Sequence, residues 1–338
     1  MAKENKKKRK RRRILLSLLM ILFCGVILST STYAWFTANK TVTINDITVN
    51  VAAMNGLQIS VDAINWKPTI TTADIRGAQA TYPTAVNQLP SELSSLSPVS
   101  SVGDIDTSTG FMQMYAGEIQ TGSGGGNILT ATRSTETHGE NGNFIAFDVF
   151  IQTTALTQVY LTSNSRVTAS GASSGIENAA RIAFVNEGNA ATGTAPTTIQ
   201  QLKSTGTPDP FIWEVNNDVH TAAAVQNANS VYHQTTQQTD ADPLEYYGVK
   251  ANIGAELDIP LDSQDGAYFE KVTPSASTGV DGIPTTAYQS LMQLQPGITK
   301  VRIYMWVEGQ DVDCENNASG GSLTFSLQIS SNTSADGA

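Results

Sequence analysis

Apolar residues alternate with polar or small ones in five stretches of this 338-residue chain. Residues 41–51 place Val42 and Ile44 on one face, then Ile47, Val49 and Val51 after the Asn45-Asp46 pair shifts the phase, as a bulge does. Leu57, Ile59 and Val61 alternate next, and Asn55-Gly56 before them predicts a tight hairpin between the two stretches. In residues 144–151, Ile145, Phe147, Val149 and Ile151 make the more uniformly apolar face, opposite Phe144, Ala146, Asp148 and Phe150. Residues 298–308 carry Val301, Ile303, Met305 and Val307 on one face and Arg302, Tyr304 and Trp306 on the other. Gly320-Gly321 then breaks the chain before Leu323, Phe325, Leu327 and Ile329.

Shorter strands are expected at 159–161, from Arg166, and at 212–215, 255–261 and 268–272. Thr198–Lys203 and His220–Asn227 read as short helices, and Ala179–Val185 as a turn leading into a strand. Pro68, Pro83, Pro90 and Pro98 exclude long regular elements from residues 65–140, read here as an insertion or elaborate loop. No fixed-period repeat is present. Strands without regular intervening helices predict an all-β fold, an antiparallel β-sandwich of jelly-roll type with long loops and a few short helices. The sandwich domain is assigned to residues 52–330, with a frayed polar tail at 331–338.

The N-terminus changes the picture. Nine Lys or Arg residues against Glu4 in residues 1–13, fifteen mostly apolar residues from Ile14 to Leu28, and the small polar Ser29–Thr32 make a secretory signal. Thr32 and Ala34 supply the small side chains a signal peptidase requires, so residues 1–34 are the expected signal peptide, cut between Ala34 and Trp35. A retained anchor is the alternative, since the apolar stretch counted through Phe36 is 23 residues. Membrane association is expected only through an uncleaved signal. Cys24 lies inside the signal, which leaves Cys314 alone in the exported chain and allows no intrachain disulfide. Export without disulfides suits a Gram-positive bacterium. The whole chain has 20 basic and 30 acidic residues; without residues 1–34 these fall to 11 and 29, a net charge of −18. Such a surface repels nucleic acid.

Candidate chemistry is sparse. His138, His220 and His233 form no HExxH motif and share no i, i+4 spacing, so structural roles are expected. Asp311, Asp313 and Glu315 place oxygen donors at alternate positions, as calcium loops do, but the sixth-position Gly and distal Glu of an EF-hand are missing. Calcium is the one cofactor considered, with solvated turn acids as the expected outcome. Gly122–Gly126 lacks the Lys-Ser/Thr of a phosphate loop, and no GxSxG or SxxK motif is present. Enzymatic activity is not expected. Cys314 reads as a partly buried thiol beside a strand end, and the scattered Trp residues as core.

Thr32-Tyr33-Ala34-Trp35-Phe36-Thr37, the alternating strand 41–51 and Gly56-Leu57-Gln58-Ile59 together resemble the camelysin/TasA family. These are Gram-positive exported matrix proteins processed by a SipW-type signal peptidase. The usual junction has Tyr where Trp35 stands here. The likeness covers residues 1–62, with a looser one at 143–169, and Ile303–Asp311 is similar to a motif of clostridial exported proteins. The resemblance implies a jelly-roll subunit of a fibre, in which residues 35–51 of one copy complete the sheet of the next. The expectation is a secreted structural subunit of an extracellular fibre or biofilm matrix, with copies of itself or a related matrix subunit as partners. The alternative is a cell-surface binding module for glycan or host protein.

Overall fold

In the computed structural model the alternating stretches are strands. The structure describes residues 42–51, 57–90, 96–121, 127–137, 139, 142–169, 175–206, 208–216, 220–222, 224–225, 246–254, 266–277, 289–314 and 322–331. The first sheet contains β1 (Thr43–Val51), β3 (Thr69–Thr71), β8 (Thr157–Leu161), β9 (Arg166–Ala169), β15 (Gln289–Leu294) and β17 (Ser322–Ser330). Its order is β15-β8-β17-β1-β3, with β9 also paired to β17. The second contains β2 (Gln58–Ser60), β7 (Ile145–Thr153), β10 (Ala180–Ala190), β11 (Phe211–Glu214), β14 (Ala276–Ser277) and β16 (Gly297–Val307). It runs β14-β11-β10-β16-β7-β2. A smaller sheet joins β4 (Val99–Ser100), β5 (Met114–Thr121) and β6 (Asn127–Ser134), and β12 (Tyr247–Val249) pairs with β13 (Phe269–Lys271). The fold is all-β, and most pairings are antiparallel. Two are parallel: β11 with β14, and β1 with β17.

The two large sheets face each other across one core. Ile47 and Val49 of β1 and Leu323, Phe325 and Leu327 of β17 cluster with Ile145, Phe147 and Val149 of β7 and with Val301, Ile303 and Met305 of β16. The alternation of each strand thus sends one set of side chains into a shared interior. All eleven residues of β16 are buried, so its other face is covered too. There Tyr304 and Trp306 pack with Phe144, Ala146 and Ala183 against Val99, Ile105, Met112 and Met114. Residues 65–140 therefore supply a further layer over the second sheet. This explains why both faces of residues 144–151 are so apolar: β7 is an inner strand with cover on both sides.

The expected hairpin at Asn55-Gly56 is not formed. β1 belongs to the first sheet, whereas β2 pairs with β7 in the second, with Ile59 opposite Ile151. The chain changes sheets here because the apolar side chains of each strand are buried on different partners. Residues 52–56, which make the change, lie outside the described residues. Within 65–140, α1 (Thr72–Gly77) is started by a capping box between Thr71 and Asp74. The second helix, α2 (Pro196–Gln200), begins two residues before the predicted start because Pro196 fits the first turn. Gly297 opens β16 at φ +121, where a Cβ would lie 2.2 Å from the Ala190 carbonyl oxygen. Only a glycine fits that approach. Residues 255–261, most of 220–227 and all but Ser331 of the tail fall outside the described residues.

Candidate functional site

Three places carry the functional weight of the chain. The first is the groove that holds β1. Val42, Ile44, Ile47, Val49 and Val51 are each 5% exposed or less. Eight residues from Thr43 to Val51 pair in parallel with Ser322 to Ile329, and the register shifts between Ile44 and Asp46, at the expected bulge. Asp46 fixes that bulge, its Oδ1 accepting from the Ile47 amide and the Thr72 hydroxyl, each at 2.8 Å. On its other side β1 meets only the three residues of β3. Ala34 and Trp35, and with them the cleavage junction, lie outside the described residues.

The second is the loop after β16, and here the expected solvated acids are buried instead. Asp311 Oδ2 accepts from Arg181 Nη2 at 2.5 Å, and the same guanidinium binds Glu214 Oε1 at 2.6 Å. Asp313, fully buried, has Oδ2 2.5 Å from His220 Nδ1, and its Oδ1 accepts from the Thr221 amide. Burial pushes Asp313 up to about 6 despite His220, and the neighbouring Asp311 adds to the rise. Asp311 and Asp313 thus turn to different protein partners. The reason is the position of Arg181 and His220, brought here by β10 and by the segment after β11. Glu315 lies outside the described residues, among which no three His, Cys, Asp or Glu side chains are placed to hold a metal ion. Cys314 is fully buried. Glu308, at the end of β16, is also fully buried. It accepts from Trp306 Nε1 and the amides of Ser101 and Gln310.

The third is a cleft of about 270 Å³ on the outer side of β16 and β7. Arg302 and Asp148 are opposite each other in the ladder, and Arg302 Nη1 donates to Asp148 Oδ1 at 2.8 Å. Lys300 Nζ lies 3.2 Å from Asp148 Oδ2 and also donates to the Tyr82 hydroxyl and the Gln200 carbonyl. Arg302 Nη2 binds Val86 O and Glu136, and its Nε donates to the Tyr304 hydroxyl. Burial alone would raise the Asp148 carboxyl, but Arg302 and Lys300 outweigh it and hold the group below its usual range. At Glu187 burial wins: the Ser204 amide and Lys300 offset only part of the rise. Every buried charge in this cluster except that of Glu187 has a direct ionic partner.

No family model, curated protein or solved structure matches this chain.

The cleft was not anticipated as a site. Its signal in the sequence is a charge inside an apolar strand: Asp148 in residues 144–151, and Lys300 and Arg302 in residues 298–308. A charge in such a position has to find a partner, because an unpaired buried ion is far more costly than a paired one. The partners Tyr82 and Glu136 come from residues 65–140, where no periodicity marks them. His220 does have the structural role expected of it. His138 and His233 lie outside the described residues.

Proposed function

We propose that this protein is a secreted structural subunit of an extracellular fibre or matrix, assembled when β1 of one copy takes the place of β1 in the next. The observation that carries this reading is the seat of β1 between β17 and the short β3. A single N-terminal strand fills a long apolar groove, anchored by a parallel ladder to the last strand of the same chain. A groove that accepts β1 from its own chain has the same shape and register for β1 of a neighbour, which is the physical basis of strand exchange. The jelly-roll class, the signal-peptidase cut at Ala34-Trp35 and the matrix location belong to the same reading, through the resemblance of residues 1–62 to camelysin/TasA proteins.

Cross-linking tests it directly. Thr48 Oγ1 and Ser326 Oγ are 3.3 Å apart across β1 and β17, so a Thr48→Cys, Ser326→Cys pair can close a disulfide. If β1 is exchanged, oxidised assemblies run as covalent ladders on a non-reducing gel. Monomers alone, from material that has assembled, would show that β1 stays in its own chain.

A further inference from the structure

The floor of the charged cleft is saturated except at one atom. Lys300 Nζ has Asp148, Tyr82 and Gln200 as partners, and the Arg302 guanidinium has Asp148, Glu136, Val86 and Tyr304. Glu187 lines the same cleft and is 5% exposed. Its Oε2 accepts from the Ser204 amide at 3.1 Å, while its Oε1 has no donor among the described residues. Three carboxylates (Glu136, Asp148, Glu187) face two buried cations (Lys300, Arg302), so the floor carries one negative charge in excess. Lys203, exposed at the rim, is screened by water and offsets little of it. A nine-tenths-buried carboxylate oxygen without a donor, open to a cavity, is an unmet hydrogen-bond acceptor.

The occupant that meets it has to bring a donor and a positive charge. The wall above Glu187 is made of hydroxyl and amide side chains, Thr84, Thr109 and Gln201, with the half-buried ring of Phe111 beside them. These groups suit a ligand with several hydroxyls and one apolar edge. The volume, about 270 Å³, lies just below the range of drug-sized pockets and accommodates a single ring.

We propose that this cleft binds an amino sugar of monosaccharide size, its ammonium on Glu187 Oε1 and its hydroxyls against Thr84, Thr109 and Gln201. The site is independent of the β1 groove, and the proposal holds for a monomer as for a fibre. A free amino sugar and an unacetylated residue at the end of a glycan present the same chemistry.

Calorimetric titration of the full chain with glucosamine, glucose and cyclohexylamine separates the contributions. Glucosamine is expected to bind, and both others at least about tenfold more weakly, since each lacks half of the recognition. Glu187→Gln keeps an acceptor for the Ser204 amide but loses the charge, and should weaken glucosamine by a similar factor. Thr84→Trp fills the mouth from an exposed position, leaves the buried charges intact and should also abolish binding. Affinity should fall as acid protonates Glu187. The proposal is overturned if glucosamine does not bind, if glucose or cyclohexylamine binds equally well, or if both variants retain the affinity of the parent. Binding by a chitosan oligosaccharide at the strength of glucosamine would assign the site to a glycan end, and failure of the oligosaccharide to the free sugar.

Discussion

Replacing Glu308 with glutamine should flatten part of the pH dependence of stability. Burial pushes this carboxyl from 4.5 up to about 7, against hydrogen bonds from Ser100, Trp306 and Gln310. Between those values the folded protein keeps a proton that the unfolded chain has released. The stabilisation from Glu308 is therefore complete below 4.5 and lost as pH rises through 7. A shift of two to three pKa units corresponds to about 3 kcal/mol. Asp313, pushed up to about 6, contributes with the same sign in parent and variant, and so drops out of their difference. Asp62, Asp74, Asp106 and Asp148 are held below their usual values. Their stabilisation is present above the unfolded value of 3.8 and is lost only in stronger acid. Urea unfolding of parent and Glu308→Gln at about pH 5 and about pH 8 reads the effect. The parent should lose about 3 kcal/mol more than the variant across that interval. At every pH the variant should be weaker by about 1–3 kcal/mol, because its amide group faces the Trp306 or Gln310 donor. Curves that stay parallel from acid to neutral pH would refute the reasoning, whatever their vertical offset.

Two further outcomes follow from the core and from the loop after β16. Phe325→Ala, at a fully buried position between the two large sheets, should lower stability by about 3–5 kcal/mol. It should do so with an unchanged dependence on urea concentration. Millimolar calcium should leave the melting temperature unchanged, because Asp311 and Asp313 are bound to Arg181 and His220. A rise that Asp313→Ala removes would show that the loop takes the ion after all.

The strands themselves were legible because alternation is a local property: β1 with its bulge, β7, β16 and β17 all lie where the pattern puts them. Pairing is not local. Asn55-Gly56 has the residues of a hairpin turn, yet Ile59 finds its partner in β7, so the turn signal was outweighed by burial. The buried charges divide in the same way. Asp148, Lys300 and Arg302 stand out in apolar strands, but Glu136 and Tyr82 come from a stretch whose role as cover for the second sheet has no periodic signature. The loop acids show the limit of spacing as a criterion. Alternate carboxylates fit a calcium loop and a set of ion pairs equally well until Arg181 and His220 are placed in space.

The parallel ladder between β1 and β17 sets the order in which this chain can complete its fold. Thr48 and Ser326 are 278 residues apart in sequence, whereas Thr130 and Glu118 of the β5–β6 hairpin are separated by 12. Closing the longer loop costs about 3 kcal/mol more chain entropy than closing the shorter one. Such long-range pairing is slow. A chain made from its N-terminus exposes β1 first and β17 almost last, so the β1 side chains have no intramolecular seat until synthesis is nearly finished. During that interval the strand is a free ligand, and any preformed groove of a neighbouring copy competes with a partner that does not yet exist. Whether β1 ends up at home or next door is then a question of kinetics, decided by the local concentration of finished subunits before it is decided by equilibrium.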